Sequence, residues 1–83
     1  MSCWYVYLVR CADNSLYTGI TIDIDRRIAE HNHNNRLAAS YTCARRPVSL
    51  VYQETCLSRS AAVKREYVIK QMSKQEKEIL VKQ

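Results

Sequence analysis

Apolar residues come in short blocks whose period changes along the chain. Trp4-Tyr5-Val6-Tyr7-Leu8-Val9-Arg10-Cys11 is rich in aromatic and branched residues and predicts a strand. Asp13-Asn14-Ser15 is turn chemistry. Leu16-Tyr17-Thr18-Gly19-Ile20-Thr21 predicts the returning strand of an antiparallel hairpin. The loop length decides what the hairpin displays. A two-residue loop at Asp13-Asn14 pairs Tyr17 with Arg10 and puts Tyr7 and Tyr17 on opposite faces. A three-residue loop, Asp13-Asn14-Ser15, pairs Tyr17 with Cys11 and Thr21 with Tyr7, so both tyrosines share a face. Such loops usually carry one residue at positive φ, which Asn14 tolerates. The three-residue loop is expected if the two tyrosines work together.

The period then changes to that of a helix. Asp23 can cap a helix running to about Asn32. Ile24, Arg27, Ile28 and His31 fall at i, i+3, i+4 and i+7 on one stripe, while Arg26 and Glu30 form an i,i+4 pair on another side. Arg27 and His31 therefore lie beside isoleucines that should face the sheet. Asn32-His33-Asn34-Asn35 breaks the helix, and a short helix or turn follows around Leu37 to Cys43. After Arg45-Arg46-Pro47, the run Val48 to Tyr52 predicts a third strand. Ser58, or Leu57 before it, opens a second long helix to about Met72, with Ala62, Val63, Glu66 and Ile69 as its core stripe. Ser73-Lys74-Gln75-Glu76 is a capping-box pattern opening a last helix with Ile79 and Leu80.

With 83 residues the chain fits a single domain over 1–83. Nearly half the residues are apolar, which argues against disorder. No run approaches the ~18 apolar residues that span a membrane. The N-terminus enters a strand without a charged segment and cleavage site, so a cytoplasmic protein is expected. Cys3, Cys11, Cys43 and Cys56 include no C-x-x-C pair, and His31 and His33 complete no zinc pattern, so reduced thiols are expected. Thirteen Lys/Arg against eight Asp/Glu give a net charge of +5, which suits a polyanionic partner.

Glu66 is the oddity of the pattern, because it replaces an apolar residue in an inward stripe. A carboxylate there needs a cation or a partner. The bland alternative is an ion pair with a basic residue at the stripe's margin. Tyr5, Tyr7 and Tyr17 have a bland reading too, as strand aromatics packing their rings. Arg27 could be a surface arginine, and His31 could simply answer the dipole of its helix end.

Taken in order, these residues resemble the GIY-YIG nuclease family. Tyr5-Val6-Tyr7 stands at the first motif, and Tyr17-Thr18-Gly19, ten residues later, matches the second. Asp25-Arg26-Arg27-Ile28-Ala29-Glu30-His31-Asn32 looks like the family's helix. There an arginine follows the second motif's tyrosine by ten residues, and a His or Tyr comes four residues beyond. Arg46-Pro47-Val48 with Leu50-Val51-Tyr52, and Ala62-Val63-Lys64-Arg65-Glu66 followed by Ile69-Lys70, look like the small standalone bacterial subgroup named YhbQ-like, or UPF0213. The likeness covers roughly residues 4 to 80. Three departures stand out: Tyr5 replaces the glycine of the family name, no asparagine follows Asn35, and Ile20 stands where repair-type relatives carry a lysine.

The resemblance implies an α+β fold, a small three-stranded antiparallel sheet flanked by helices. It implies a catalytic set of Tyr7, Tyr17, Arg27, His31 and Glu66, with Glu66 binding one Mg²⁺ or Mn²⁺ ion. Phosphodiester hydrolysis suits this set. One hard cation is held by few carboxylates and keeps its waters. It polarises the phosphoryl oxygen and offsets charge on the leaving oxygen. Arg27 can grip non-bridging oxygens. Tyr7 or Tyr17 would take the water's proton, with His31 relaying or holding it. Without an appended reader domain, single-stranded or branched DNA is the expected substrate. Tyr5, Tyr41, Arg45, Arg46 and Lys70 are candidate nucleic-acid contacts, with Arg65, Lys64, Lys74 and Lys77 extending a backbone track and Trp4 and Tyr52 as further stacking rings. Two rivals share the fold: an inert binding module, and a subunit active only on a partner protein. The pathway stays open among repair, DNA uptake and mobile-element defence.

Overall fold

A computed structural model describes residues 3–83; Met1 and Ser2, where the reading of the N-terminus began, lie outside the described residues. The order is β1 (Trp4–Arg10), β2 (Leu16–Thr21), α1 (Ile24–His33), α2 (Ser40–Cys43), β3 (Ser49–Cys56), α3 (Arg59–Lys70) and α4 (Lys74–Val81). The strands form one antiparallel sheet in the order β2-β1-β3. This is the expected α+β fold of a three-stranded sheet flanked by helices.

β1 is central, and Val6, Tyr7, Leu8 and Val9 are all buried. A strand covered on both faces loses polar alternation. On one face Val6, Leu8 and Leu16 pack with Ala62, Ile69 and Leu80 from α3 and α4. On the other, Tyr7, Val9 and Cys11 pack with Val48, and Tyr17, Ile24 and Ile28 lie against them. Helix α1 therefore covers the tyrosine face, while α3 and α4 cover the opposite one.

The hairpin corrects one expectation and keeps its consequence. Tyr17 pairs with Val9 and Gly19 with Tyr7, in place of the expected pairs Tyr17 with Cys11 and Thr21 with Tyr7. The Cys11 N–H donates to the Ser15 carbonyl at 2.9 Å, so the three-residue loop is Ala12-Asp13-Asn14. Asn14 holds the positive φ of 71°. Asp13 accepts from the Ser15 amide and hydroxyl, which draws Ser15 into the ladder end. The register moves by two residues, an even step, so Tyr7 and Tyr17 still share a face.

Asp23 caps α1 by accepting from the Arg26 amide, and Ser58 caps α3 by accepting from the Ala61 amide. Ser73 and Glu76 complete the capping box of α4. Two helix positions turn outward. Val63 and Ile79 are 39% and 61% exposed, because α3 meets the sheet through Ala62 and Ile69 and α4 through Leu80. β3 runs past the expected Tyr52 to Cys56, pairing with β1 as far as Trp4. Its polar Glu54 is tolerated there because Arg65 donates to it at 2.8 Å and the Tyr52 hydroxyl does so too. Arg10 grips Glu78 with two 2.7 Å hydrogen bonds and ties the end of β1 to α4. All four cysteines are free.

Candidate active site

The site begins with Gly19. A Cβ built there would lie 2.6 Å from Tyr7 Cζ and closer still to its hydroxyl. The lone glycine leaves the floor on which the Tyr7 ring lies across β2. Its backbone is not in the positive-φ region, so glycine is needed for close approach rather than for conformation.

Tyr7 reaches His31 from this floor, with its hydroxyl 2.8 Å from Nε2. His31 belongs to the stripe of α1 that also carries Ile24 and Ile28, and it is fully buried. Its Nδ1 lies 2.7 Å from the Thr42 hydroxyl of α2. The Tyr17 ring meets the imidazole edge-on, with centroids 5.5 Å apart. Arg27, one turn earlier on α1, donates from Nη1 to Glu30 at 3.0 Å and to the Leu37 carbonyl at 2.7 Å. Its guanidinium also stands beside the Tyr7 phenol as a further hydrogen-bonding neighbour.

Burial governs the titration of the pair. It pushes the Tyr7 phenol up to about 12; the Arg27 guanidinium beside it pulls the other way, while Tyr17 and Glu66 add to the rise. Burial also pulls His31 down to about 4, helped by the charges of Arg27 and Arg46 and opposed by Glu30. At neutral pH the pair is a neutral phenol beside a neutral imidazole.

Glu66 is half-buried on α3 and near enough to act on the Tyr7 phenol. Lys70 sits 3.4 Å from its carboxylate, the ion pair that the bland reading of Glu66 anticipates. Among the described residues no three His, Cys, Asp or Glu side chains gather as a metal cage. The donor set is one carboxylate, with the Tyr7 phenol close enough to feel its charge, which suits a hard ion that keeps most of its waters.

The candidate nucleic-acid residues are largely engaged within the chain. Tyr41 stacks on Tyr17 with centroids 5.8 Å apart, and Arg45 lies 3.8 Å over the Tyr41 ring while pairing with Asp13 at 3.1 Å. Arg46 donates to the His31 carbonyl at 2.6 Å and to Asn35 at 2.7 Å, so it fastens α1 instead of standing free for phosphate. Arg65 is held by Glu54 and Lys74 by Glu78. Among the described residues Lys64 and Lys77 have no such partner. Trp4 and Tyr52 pack against the core on the α3 face. Tyr5 lines a separate open cleft with Ile22, Leu50 and Gln53 at the start of α1.

Residues 3–79 match the GIY-YIG catalytic domain. The chain belongs to the GIY-YIG family. The domain is that of a nuclease superfamily, whose members act on nucleic acid and generally use a divalent metal. A UPF0213 protein of Desulfotalea psychrophila is 61% identical over 79 residues, 95% of this chain and 71% of that protein. One from Staphylococcus haemolyticus is 56% identical over 73 residues, 88% of this chain and 87% of its own. The solution NMR structure of a UPF0213 protein from Bacillus halodurans matches with a TM-score of 0.61 at 41% identity, covering 96% of this chain and 83% of that one. Among the described residues of this GIY-YIG chain no helix is long and apolar enough to cross a membrane.

Sequence reasoning missed Thr42 and Asn32. Asn32 bridges the Val48 backbone, accepting from its N–H at 2.7 Å and donating to its carbonyl at 2.9 Å. Thr42 belongs to no periodic apolar stripe, and Asn32 opens the run Asn32-His33-Asn34-Asn35 that reads as a helix breaker, so no pattern marks either. Gly19 did carry a signal, since an isolated glycine in a strand indicates close backbone approach.

Proposed function

We propose that this GIY-YIG domain is a metal-dependent endonuclease that hydrolyses DNA phosphodiester bonds, acting on single-stranded or branched DNA in the cytoplasm. The observation that carries the reading is the Tyr7 hydroxyl 2.8 Å from a neutral, buried His31 Nε2. A phenol in contact with an acceptor has somewhere to send its proton, and of the two tyrosines Tyr7 is the one hydrogen-bonded to His31. Tyr7 therefore takes the proton of the attacking water while its own passes to His31. With the phenol near 12 and the imidazole near 4, the proton stays on Tyr7 in the resting site. Transfer needs added positive charge beside the phenolate. Arg27 contributes part of that charge and holds the non-bridging phosphate oxygens. Tyr17, edge-on to the imidazole, keeps the ring in place. Glu66 would hold Mg²⁺ or Mn²⁺, which when bound supplies Lewis acidity at the phosphoryl oxygen and a charge favouring phenolate. The net charge of +5 supports a polyanionic substrate.

Two observations favour a second reading, an inert binding module or a subunit that opens only on a partner. Tyr7 is 1% exposed, and Lys70 holds the Glu66 carboxylate. A substrate panel separates the readings. Labelled single-stranded, duplex and branched DNA are incubated with the protein and Mg²⁺, Mn²⁺ or EDTA. The nuclease reading expects cutting with metal, none with EDTA, and preference for the single-stranded or branched forms. DNA binding without cutting under every condition would support the second reading instead.

A further inference from the structure

Thr42 stands at 0% exposure on a four-residue helix, too short for a periodic pattern to explain a buried hydroxyl. Its Oγ1 lies 2.7 Å from His31 Nδ1 and 3.0 Å from the Ala39 carbonyl oxygen. A hydroxyl has one proton to donate, and a backbone carbonyl can only accept. Were the Thr42 proton aimed at His31, two oxygen acceptors would face each other unshielded at 3.0 Å. The proton therefore goes to Ala39, and Oγ1 turns a lone pair to His31.

We infer that Thr42, anchored on the Ala39 carbonyl, is a positioning residue that fixes His31 as its Nδ1–H tautomer and so presents Nε2 to Tyr7 as a proton acceptor. The chain of donors runs one way. Tyr7 donates to His31 Nε2, His31 Nδ1–H donates to Thr42, and Thr42 donates to Ala39. The acceptor-only carbonyl at its end prevents the chain from inverting. With the opposite tautomer, Nε2–H would donate to the Tyr7 oxygen, and the imidazole could not receive a proton from it. The backbone around His31 is held as firmly, because Arg46 binds the His31 carbonyl and Asn32 grips Val48. The tautomer claim concerns hydrogen-bond polarity alone; its catalytic consequence rests on the nuclease reading above.

The test joins a spectroscopic readout to a kinetic one. Imidazole ¹⁵N shifts of the wild-type protein at neutral pH should show His31 protonated on Nδ1 and bare on Nε2. Thr42→Val keeps the shape but removes the acceptor. It should move His31 toward the Nε2–H form and lower kcat on the order of 10²-fold, the lower end of what a positioned acid or base supplies, with KM little changed. Thr42→Ser should restore both. A wild-type His31 protonated on Nε2 overturns the inference, and this reading needs no variant to fold. So does a folded Thr42→Val protein with an unaltered tautomer. A correct tautomer in a protein that cuts no DNA leaves the assignment standing and removes the nuclease reading instead.

Discussion

Gly19 and Tyr7 face each other across the β1–β2 ladder, and the tyrosine ring fills the space where a side chain at position 19 would stand. The second motif's glycine thus exists for the first motif's tyrosine. Gly19→Ala places a methyl group 2.6 Å from Tyr7 Cζ. Because that ring is buried, the clash cannot be relieved toward solvent. The substitution should destabilise the fold by about 1–3 kcal/mol, the range for overpacking a core, and should break the Tyr7–His31 contact. Denaturant unfolding reads the first effect. An unchanged midpoint would mean that the ring has room to move.

His31 makes stability depend on pH. Its folded value of about 4 lies below the ordinary 6.5, chiefly through burial. The unfolded chain therefore binds a proton between these values that the folded chain refuses. Stability is complete above about 6.5 and falls as pH drops toward 4, by an amount on the order of 3 kcal/mol. Glu78, held near 2 by Arg10 and then Lys74, loses its contribution lower, as pH falls below 4.5. Denaturation midpoints at pH 7 and pH 5 should differ for the wild type. The difference should shrink in His31→Leu. An equal slope in both proteins would place the effect elsewhere.

Lys70 and an incoming metal compete for one carboxylate. Lys70→Ala removes the cation 3.4 Å from Glu66, and divalent-ion binding should tighten a few-fold. Glu66→Ala should abolish metal-dependent cutting and leave DNA affinity largely unchanged. Titration calorimetry with Mn²⁺ reads the first effect and gel-shift the second. Identical Mn²⁺ affinity in Lys70→Ala and wild type would show that Glu66 is not the metal's ligand.

Much of this site was legible from periodicity. The stripe Ile24, Arg27, Ile28, His31 placed two polar side chains against the sheet; the structure joins His31 to Tyr7 of β1, while Arg27 bonds Glu30 and the Leu37 carbonyl with its guanidinium beside the Tyr7 phenol. The parity of the hairpin put Tyr7 and Tyr17 on one face even though the register was off by two residues. The loop boundary was illegible because Asp13 binds the Ser15 backbone and turns Ser15 into a ladder residue. Periodicity cannot show which basic residues are free, and most of the candidate track proved to be paired within the chain. Arg46 is the clearest case, since its partner is the His31 carbonyl, fifteen residues away. Thr42 was invisible for the same reason. Its role comes from a contact across eleven residues and from the carbonyl of Ala39, which caps its own short helix.

The most direct test of the account is single-turnover cleavage of single-stranded and branched DNA, with Mg²⁺ or Mn²⁺, by wild type and Tyr7→Phe at equal DNA occupancy. Phenylalanine keeps the ring over Gly19 and removes only the hydroxyl that meets His31. The account predicts metal-dependent cutting by the wild type and a rate lower on the order of 10²-fold or more in the variant, with binding intact. Cutting at the wild-type rate by Tyr7→Phe would contradict it, because the Tyr7–His31 pair would then be packing alone.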